Sequence, residues 1–295
     1  MLKFNNKVIL SPNGKWIDKD YDPYNPLKLP PYTIRCKFTS GYTPVIGDSQ
    51  TLVDAQDNIW DITKNSTDWW ALFNGTQNYL LEVLGANTTG VTNMKKMFYN
   101  SKLLTTVALF DTTSVTDMSE MFYSCKVLTT VPLFDTHNVS NMAAMFDTCI
   151  ALTYIPLFDT SSVTDMHQMF NACQTLTTVP LFNTSRVTTM AYMFDLCSSL
   201  TTVPLFNTVK VTAMNAMFTS CSSLTAIPLF NTSRVTTMAY MFDSCINVES
   251  GALALYQQAS TQATPPSSHG YAFHDCGSNT TTGAAELAQI PSDWK

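Results

Sequence analysis

The apolar residues of this chain recur with a period of 24 residues. The unit that begins at Val115 reads V-x-x-M-x-x-M-F-x-x-C-x-x-L-x-x-V-P-L-F and ends at Phe134. The valines that open successive units are Val91, Val115, Val139, Val163, Val187, Val211 and Val235. One period kept through so many units predicts a solenoid, in which each unit forms one turn and contacts only its neighbours.

Each unit combines two spacings. After Val115 the apolar residues fall at +3, +6, +7 and +10, which is typical of one face of a helix. After Leu128 they fall at +3 and +5, which favours a short strand. The predicted fold is therefore an α/β repeat solenoid, a leucine-rich-repeat-like stack of 24-residue strand-helix units. A D-T or N-T corner follows each strand and can bond loop backbone groups.

The repeats are flanked on the N-terminal side by two less regular segments. Residues 1–62 are predicted to form a small β-rich N-terminal docking module, because Thr33–Phe38 alternates and Asn58–Thr63 is a second strand candidate. Residues 63–90 are interpreted as a degenerate capping repeat with a helix at Ser66–Thr76. Within it, Trp69 takes a methionine place, and large aromatic residues suit an atypical terminal repeat.

On the C-terminal side, residues 91–245 form the predicted solenoid and residues 246–295 a C-terminal cap. The segment Gly251–Ser260 reads as an inserted helix. The spacing F-x-x-C then returns at Phe273 and Cys276.

Composition excludes several classes of function. Charged residues make up 13% of the chain, the net charge is −6 and no Lys/Arg run occurs. Nucleic-acid and anionic-membrane binding therefore have no electrostatic basis. The sequence has no apolar run long enough to span a membrane. Residues 1–16 lack an apolar core of signal-peptide length, so export by the ordinary route is not expected.

The tandem motif V-T-x-M-x-x-M-F-x-x-C-x-x-L-T-x-V-P-L-F-D-T resembles the BspA-like leucine-rich repeat family, a family of bacterial surface protein repeats. The resemblance is strong over Val91–Cys245 and weaker over Trp69–Trp294. It implies a leucine-rich-repeat solenoid with a role in adhesion, protein binding or surface display. Members without an export signal, with a short β-rich N-terminal module, look like proteins of bacteriophages of gut bacteria. The family motif is structural and brings no catalytic residue.

The residues that invite a chemical interpretation fit the core pattern better. One cysteine occurs per unit, and a line of single thiols does not converge on a zinc ion. We predict that these cysteines and the methionine pairs are buried, because they share one apolar face. The corner carboxylates Asp111, Asp135 and Asp159 are replaced by asparagine in later units, which favours backbone capping over metal binding. The sequence predicts no enzyme activity, no cofactor and no metal site.

The strand half of the unit is the candidate binding face. Strict alternation from Leu128 would point Leu and Val into the core and Thr and Phe outward. The candidate residues are Thr130, Thr178 and Thr202 together with Phe110, Phe134, Phe158, Phe182, Phe206 and Phe230. An exposed aromatic stripe would mark an interaction site. The alternative is that each Phe turns inward at the corner and closes the core.

The expected function is that of a non-enzymatic structural or interaction protein. Given the resemblance, we expect a phage virion component, such as a decoration, fibre or receptor-binding protein, with a bacterial cell-surface adhesin as the alternative. Expected partners are other virion or surface proteins, bound through residues 1–62, and a host-surface protein or glycan; a homo-oligomer is compatible with the pattern. The segment NTSRVTTMAYMFD occurs at both Asn183–Asp195 and Asn231–Asp243, which indicates internal duplication.

Overall fold

The computed structural model describes residues 27–295, together with the backbone of three short strands nearer the N-terminus. These strands are β1 (Leu2–Phe4), β2 (Lys7–Ile9) and β3 (Trp16–Ile17), which pair in an antiparallel sheet. The rest of residues 1–26, including most of the segment considered for a signal peptide, lies outside the described residues.

A second, five-stranded sheet leads into the repeats. Its strands are β4 (Thr33–Phe38), β5 (Ser49–Asp54), β6 (Ile59–Thr63), β7 (Leu80–Asn87) and β8 (Thr106–Val107), in the order β5-β6-β4-β7-β8. The two strands predicted near residues 33–38 and 58–63 are confirmed. The predicted domain boundary at residue 62 falls within this sheet, because β4 pairs with both β6 and β7. The parallel pairing of β7 with β8 joins the sheet to the first regular unit.

The repeats stack as rungs of a solenoid. Parallel bridges join equivalent residues of successive rungs, as in the series Asn93, Asp117, Asn141, Asp165, Thr189, Ala213 and Thr237. Inside the stack, phenylalanine rings of neighbouring rungs lie face to face, with the centroids of Phe146 and Phe170 5.7 Å apart. The methionines, cysteines and phenylalanines of the motif line this continuous core and are buried.

No helix occurs within the described residues 27–251, so the strand-helix unit predicted from the spacing is wrong. The segment of each rung that carries M-x-x-M-F-x-x-C is a run of turns instead. Residues Glu120 and Ser124, and their counterparts in the other regular rungs, have φ between +52° and +61°. The same correction applies to Ser66–Thr76, where Ala71 has φ +48° and the backbone forms turns.

The hydrogen bonds of this segment explain why a helix is excluded. Alternate N–H groups bond within the rung, as Met121 does to the carbonyl of Met118 at 3.2 Å. The others donate to the next rung, as Glu120 does to Ala143 at 2.9 Å and Phe122 to Met145 at 2.9 Å. Bonds of this kind hold rungs about 4.8 Å apart, whereas packed helices need roughly 8–10 Å between axes. A helix in each unit therefore cannot stack at this spacing.

The C-terminal cap contains the predicted helix and one that was not predicted. They are α1 (Ala252–Thr261) and α2 (Thr281–Ala288), followed by a 3-10 turn at Ser292–Trp294. Helix α1 is inserted before the last rung, in which Phe273 and Cys276 are buried as the motif indicates. Among the residues that the structure describes, no helix has both the length and the hydropathy needed to cross a membrane.

The residues with positive φ lead to a prediction about stability, which two adjacent alanines can test. Ala143 and Ala144 are equally buried, each 5% exposed, but only Ala144 has positive φ, at +52°. Glycine relieves the left-handed strain at the second site and adds only chain entropy at the first. We expect the unfolding free energy of Ala144→Gly to exceed that of Ala143→Gly by about 1–2 kcal/mol in urea titrations. Equal stabilities would contradict the assigned backbone.

Candidate functional site

The structure places the two kinds of predicted face residue differently. Thr130, Thr178 and Thr202 are exposed, as predicted. The six phenylalanines are buried, each at most 2% exposed: Phe110, Phe134, Phe158, Phe182, Phe206 and Phe230. The predicted aromatic stripe therefore does not exist, and these rings close the core as in the alternative interpretation.

A ladder of leucines takes the outward place instead. The residue before each phenylalanine is a leucine that alternation predicted to be buried. The exposed members are Leu133, Leu157, Leu181, Leu205 and Leu229, with 52–61% exposure. With the exposed threonines two positions after each motif leucine, and with Tyr154 at the same position, they form what we call the threonine–leucine face.

Proline causes this exchange of inward and outward residues. Pro132 lacks an N–H and cannot continue a strand ladder. Its carbonyl instead accepts from the N–H of Phe134 at 2.9 Å, which closes a three-residue turn around Leu133. The buried positions are consequently three apart, at Leu128, Val131 and Phe134. The same bond recurs at Pro156, Pro180 and Pro228.

The threonine–leucine face carries no formal charge. None of the segments equivalent to residues 128–134 in the five rungs from Leu128 to Phe230 contains Asp, Glu, Lys or Arg. The exposed threonines one position earlier, which border this face, donate to the preceding rung, as Thr153 Oγ1 does to the carbonyl of Thr129 at 3.2 Å. The face suits apolar, neutral contacts rather than ionic ones.

The D-T and N-T corners are used for backbone capping, as predicted. The Oδ1 atom of Asp111 accepts from the N–H of Thr113 at 2.9 Å, and Asn183 does the same for Ser185 at 3.1 Å. The buried corner threonines donate to the next rung, as Thr136 Oγ1 does to the carbonyl of Asp159 at 2.8 Å. Within residues 27–295 no group of three or more His, Cys, Asp or Glu side chains is placed to hold a metal ion.

The cysteine ladder is part of the core. All eight thiols are free and buried. Each ladder thiol donates to a phenylalanine carbonyl of the preceding rung, as Cys149 Sγ does to Phe122 at 3.0 Å and Cys197 Sγ to Phe170 at 3.0 Å. Burial in an apolar environment raises the pKa of these thiols well above its ordinary value. Ser101 replaces cysteine in the first regular rung, and its buried hydroxyl has no partner.

The histidines pair with nearby aspartates rather than with nucleophiles. Nδ1 of His137 lies 2.6 Å from Asp135, and Nδ1 of His167 lies 3.1 Å from Asp165. The pKa of Asp135 is lowered, chiefly by its bond to His137. Ser119 shares a surface cavity with His167, but a complete rung containing Ala143 separates the two.

Because the leucine is exposed and the phenylalanine after it is buried, substitutions at these two adjacent positions should differ in how much they lower the unfolding free energy. Phe158→Ala should lower the unfolding free energy by about 3–5 kcal/mol, because a ring that is 2% exposed leaves a cavity. Leu157→Ala should change it by only about 0.5 kcal/mol, since Leu157 is 59% exposed. Urea unfolding of both variants measures the difference. A larger loss of stability in Leu157→Ala than in Phe158→Ala would instead support the exposed aromatic stripe that strict alternation predicts.

The buried thiols predict a loss of stability in alkali. Their pKa is raised in the folded protein, so above about pH 9 the unfolded chain releases protons that the folded protein keeps. Each thiol then lowers the unfolding free energy by about 1.4 kcal/mol per pH unit. This contribution is complete below pH 9 and is lost as the pH rises towards the folded values. Cys197→Ala should reduce the slope of the unfolding free energy against pH by about 1.4 kcal/mol per pH unit, which corresponds to one proton. An unchanged slope would show that this thiol ionises in the folded protein.

Two solved structures are similar to part of this chain. One is the T. pallidum leucine-rich repeat protein TpLRR, with 20% sequence identity and a TM-score of 0.44; the match covers 62% of this chain and 79% of that one. Another is a leucine-rich repeat protein from Eubacterium ventriosum, with 18% identity, a TM-score of 0.43, and coverage of 69% and 62%. A search of the curated proteins found no match.

A family model gives the more specific result. The model described as "Mycoplasma protein of unknown function, DUF285" matches residues 48–156 and again residues 150–254. These segments contain most of the regular rungs that the structure shows. Since together they span more than half of its 295 residues, the chain belongs to the DUF285 family.

Proposed function

We propose that this chain is a non-enzymatic interaction protein that binds a protein partner through its threonine–leucine face. The observation that carries the proposal is the line of five leucines, 52–61% exposed, on a face without charge. Removing apolar surface from water yields about 25 cal/mol per Å², so such a line is a source of binding free energy. Exposed apolar patches of this kind mark interaction sites.

The stacked architecture favours binding by limiting its entropic cost. Four of the five leucines, all but Leu205, lie at the centre of a hydrogen-bonded three-residue turn, and each rung is hydrogen-bonded to its neighbours. The face is therefore rigid before a partner arrives, and little conformational entropy is lost on association. Its leucines follow the spacing of the rungs, so a partner with a regular apolar surface fits best.

The setting we propose is a virion, in which residues 1–62 anchor the chain to other virion proteins and the solenoid is displayed. The sequence resemblance supports this setting. Strands β7 and β8 also support it, because their pairing links the N-terminal sheet directly to the first regular rung. A decoration, fibre or receptor-binding role fits this arrangement. The alternative is a bacterial cell-surface adhesin.

The leucine ladder offers a direct test of the docking role. In a triple variant, Leu157, Leu181 and Leu205 are changed to Ser. Because these side chains are exposed, the variant should keep the thermal midpoint of the wild type to within a few degrees. Binding to purified phage particles, measured by co-sedimentation and mass spectrometry, should fall at least tenfold.

A matched control changes three apolar residues that are exposed elsewhere, Val127, Leu196 and Val209, to Ser. This control should bind as the wild type does. Equal binding by the leucine variant would refute the docking role of the threonine–leucine face. Recovery of the chain with bacterial envelopes rather than with particles would favour the adhesin alternative.

A further inference from the structure

A second surface of the solenoid differs from rung to rung. It consists of the positions four, five, eight and nine residues after each opening valine, which we call the variable face. In the second regular rung these residues are Ser119, Glu120, Tyr123 and Ser124, and in the third they are Ala143, Ala144, Asp147 and Thr148. The buried motif and the threonine–leucine face repeat almost unchanged in the same rungs. Surface variation on a constant scaffold is where a repeat protein can acquire a specific site.

Two cavities lie on the N-terminal part of the variable face. The first, of ≈ 240 Å³, is lined by Trp70, Ala71, Asn74, Gln77, Lys96 and Tyr99. The second, of ≈ 300 Å³, includes Ser119, Glu120, Tyr123, Ala143, Ala144 and His167 in its lining. The small residues of the third rung create the second cavity, because Ala144 stands between Glu120 and Gln168 at the same position of neighbouring rungs.

A pair of stacked tyrosines separates the two cavities. The ring centroids of Tyr99 and Tyr123 are 4.7 Å apart and the rings are 14° from parallel. Tyr99 lines the first cavity and Tyr123 the second, so each cavity borders one end of the stack. At the next rung the stack ends, since Asp147 replaces tyrosine. Trp70, 54% exposed, adds a second aromatic surface to the first cavity.

The polar groups around the stack are balanced in charge. Two cationic and two anionic side chains line the cavities: Lys95, Lys96, Glu120 and Asp165. Nζ of Lys96 lies 3.1 Å from the carboxylate of Glu120. Asn74, Gln77 and Gln168 add neutral donors and acceptors. The hydroxyl of Ser119 is buried, lines the second cavity and has no hydrogen-bond partner. An unsatisfied buried hydroxyl is costly, so a ligand hydroxyl that reaches it gains affinity.

We propose that the two cavities and the tyrosine pair between them bind a neutral glycan chain. Sugar rings present apolar C–H faces that pack on aromatic rings, and their hydroxyls both donate and accept hydrogen bonds. One sugar unit continues the stack beyond Tyr123 and bonds to Ser119. Another lies on the far side of Tyr99, against Trp70. The equal numbers of cationic and anionic side chains select against an ionic ligand, and the polar lining selects against an aliphatic one. This inference does not depend on the threonine–leucine face.

The test uses the full chain and a panel of neutral linear oligosaccharides: chitotetraose, maltotetraose, mannotetraose, cellotetraose and xylotetraose. We expect at least one to bind in isothermal titration at millimolar concentration. Saturation-transfer NMR should then show contact between aromatic protons and the sugar C–H groups. Tyr123→Ala should weaken binding by about tenfold, the loss of one aromatic contact.

Two further variants separate loss of the site from loss of the fold. Ala143→Leu should fill the second cavity and abolish binding at an unchanged thermal midpoint, because the next rung already holds the larger His167 at that position. Tyr240→Ala is the matched control. Tyr240 is also on the variable face, is 46% exposed and stacks on Tyr271 at 5.2 Å, but lies far along the stack.

The control variant should bind as the wild type does. The proposal is overturned if none of the five oligosaccharides binds. It is equally overturned if Ala143→Leu and Tyr123→Ala bind as well as the wild type, or if the cavities prove to take a peptide instead.

Discussion

The structure depends on hydrogen bonds between backbone groups of successive rungs. In the turn segment, alternate N–H groups find acceptors within their own rung, and the rest require carbonyls of the next rung. Buried backbone groups without partners are strongly destabilising, so no rung satisfies itself in isolation. The left-handed residues, each costing about 1–2 kcal/mol, are maintained by this requirement. The spacing of the rungs, the ring stacks and the inward thiols follow from it.

The stacked architecture and the buried core could be predicted from sequence, because they depend on a 24-residue spacing of apolar residues. The helices could not be excluded in that way. Buried positions at +3, +6, +7 and +10 result equally from a helix and from a run of turns with Glu120 and Ser124 left-handed. Only the distance between rungs distinguishes a helix from a run of turns. Met118 and Phe122 are buried in either arrangement, so their burial carried no information about the backbone.

The candidate face was predicted wrongly at two residues of each rung, the leucine and the phenylalanine that follow the proline. Alternation was extended through Pro132, although a proline interrupts the ladder on which alternation depends. The resulting three-residue turn placed Leu133 outside and Phe134 inside. The proline was a visible signal, but its consequence depends on the bond that the following residues make. The tyrosine pair was missed for a different reason: Tyr99 and Tyr123 occupy variable slots, and their contact becomes evident only when equivalent rungs are superposed.

The C-terminal cap is compatible with solenoids that contain different numbers of repeat units. At the last regular corner, helix α1 supplies side-chain amides where a further rung would supply backbone. Gln258 donates to the carbonyl of Phe230 at 2.6 Å, and Gln262 donates to that of Thr232 at 3.0 Å. At this corner the edge of the solenoid is thereby occupied by side chains of α1. The identical segments at Asn183–Asp195 and Asn231–Asp243 both begin before this cap, so whole units can be duplicated within the solenoid while the cap is retained.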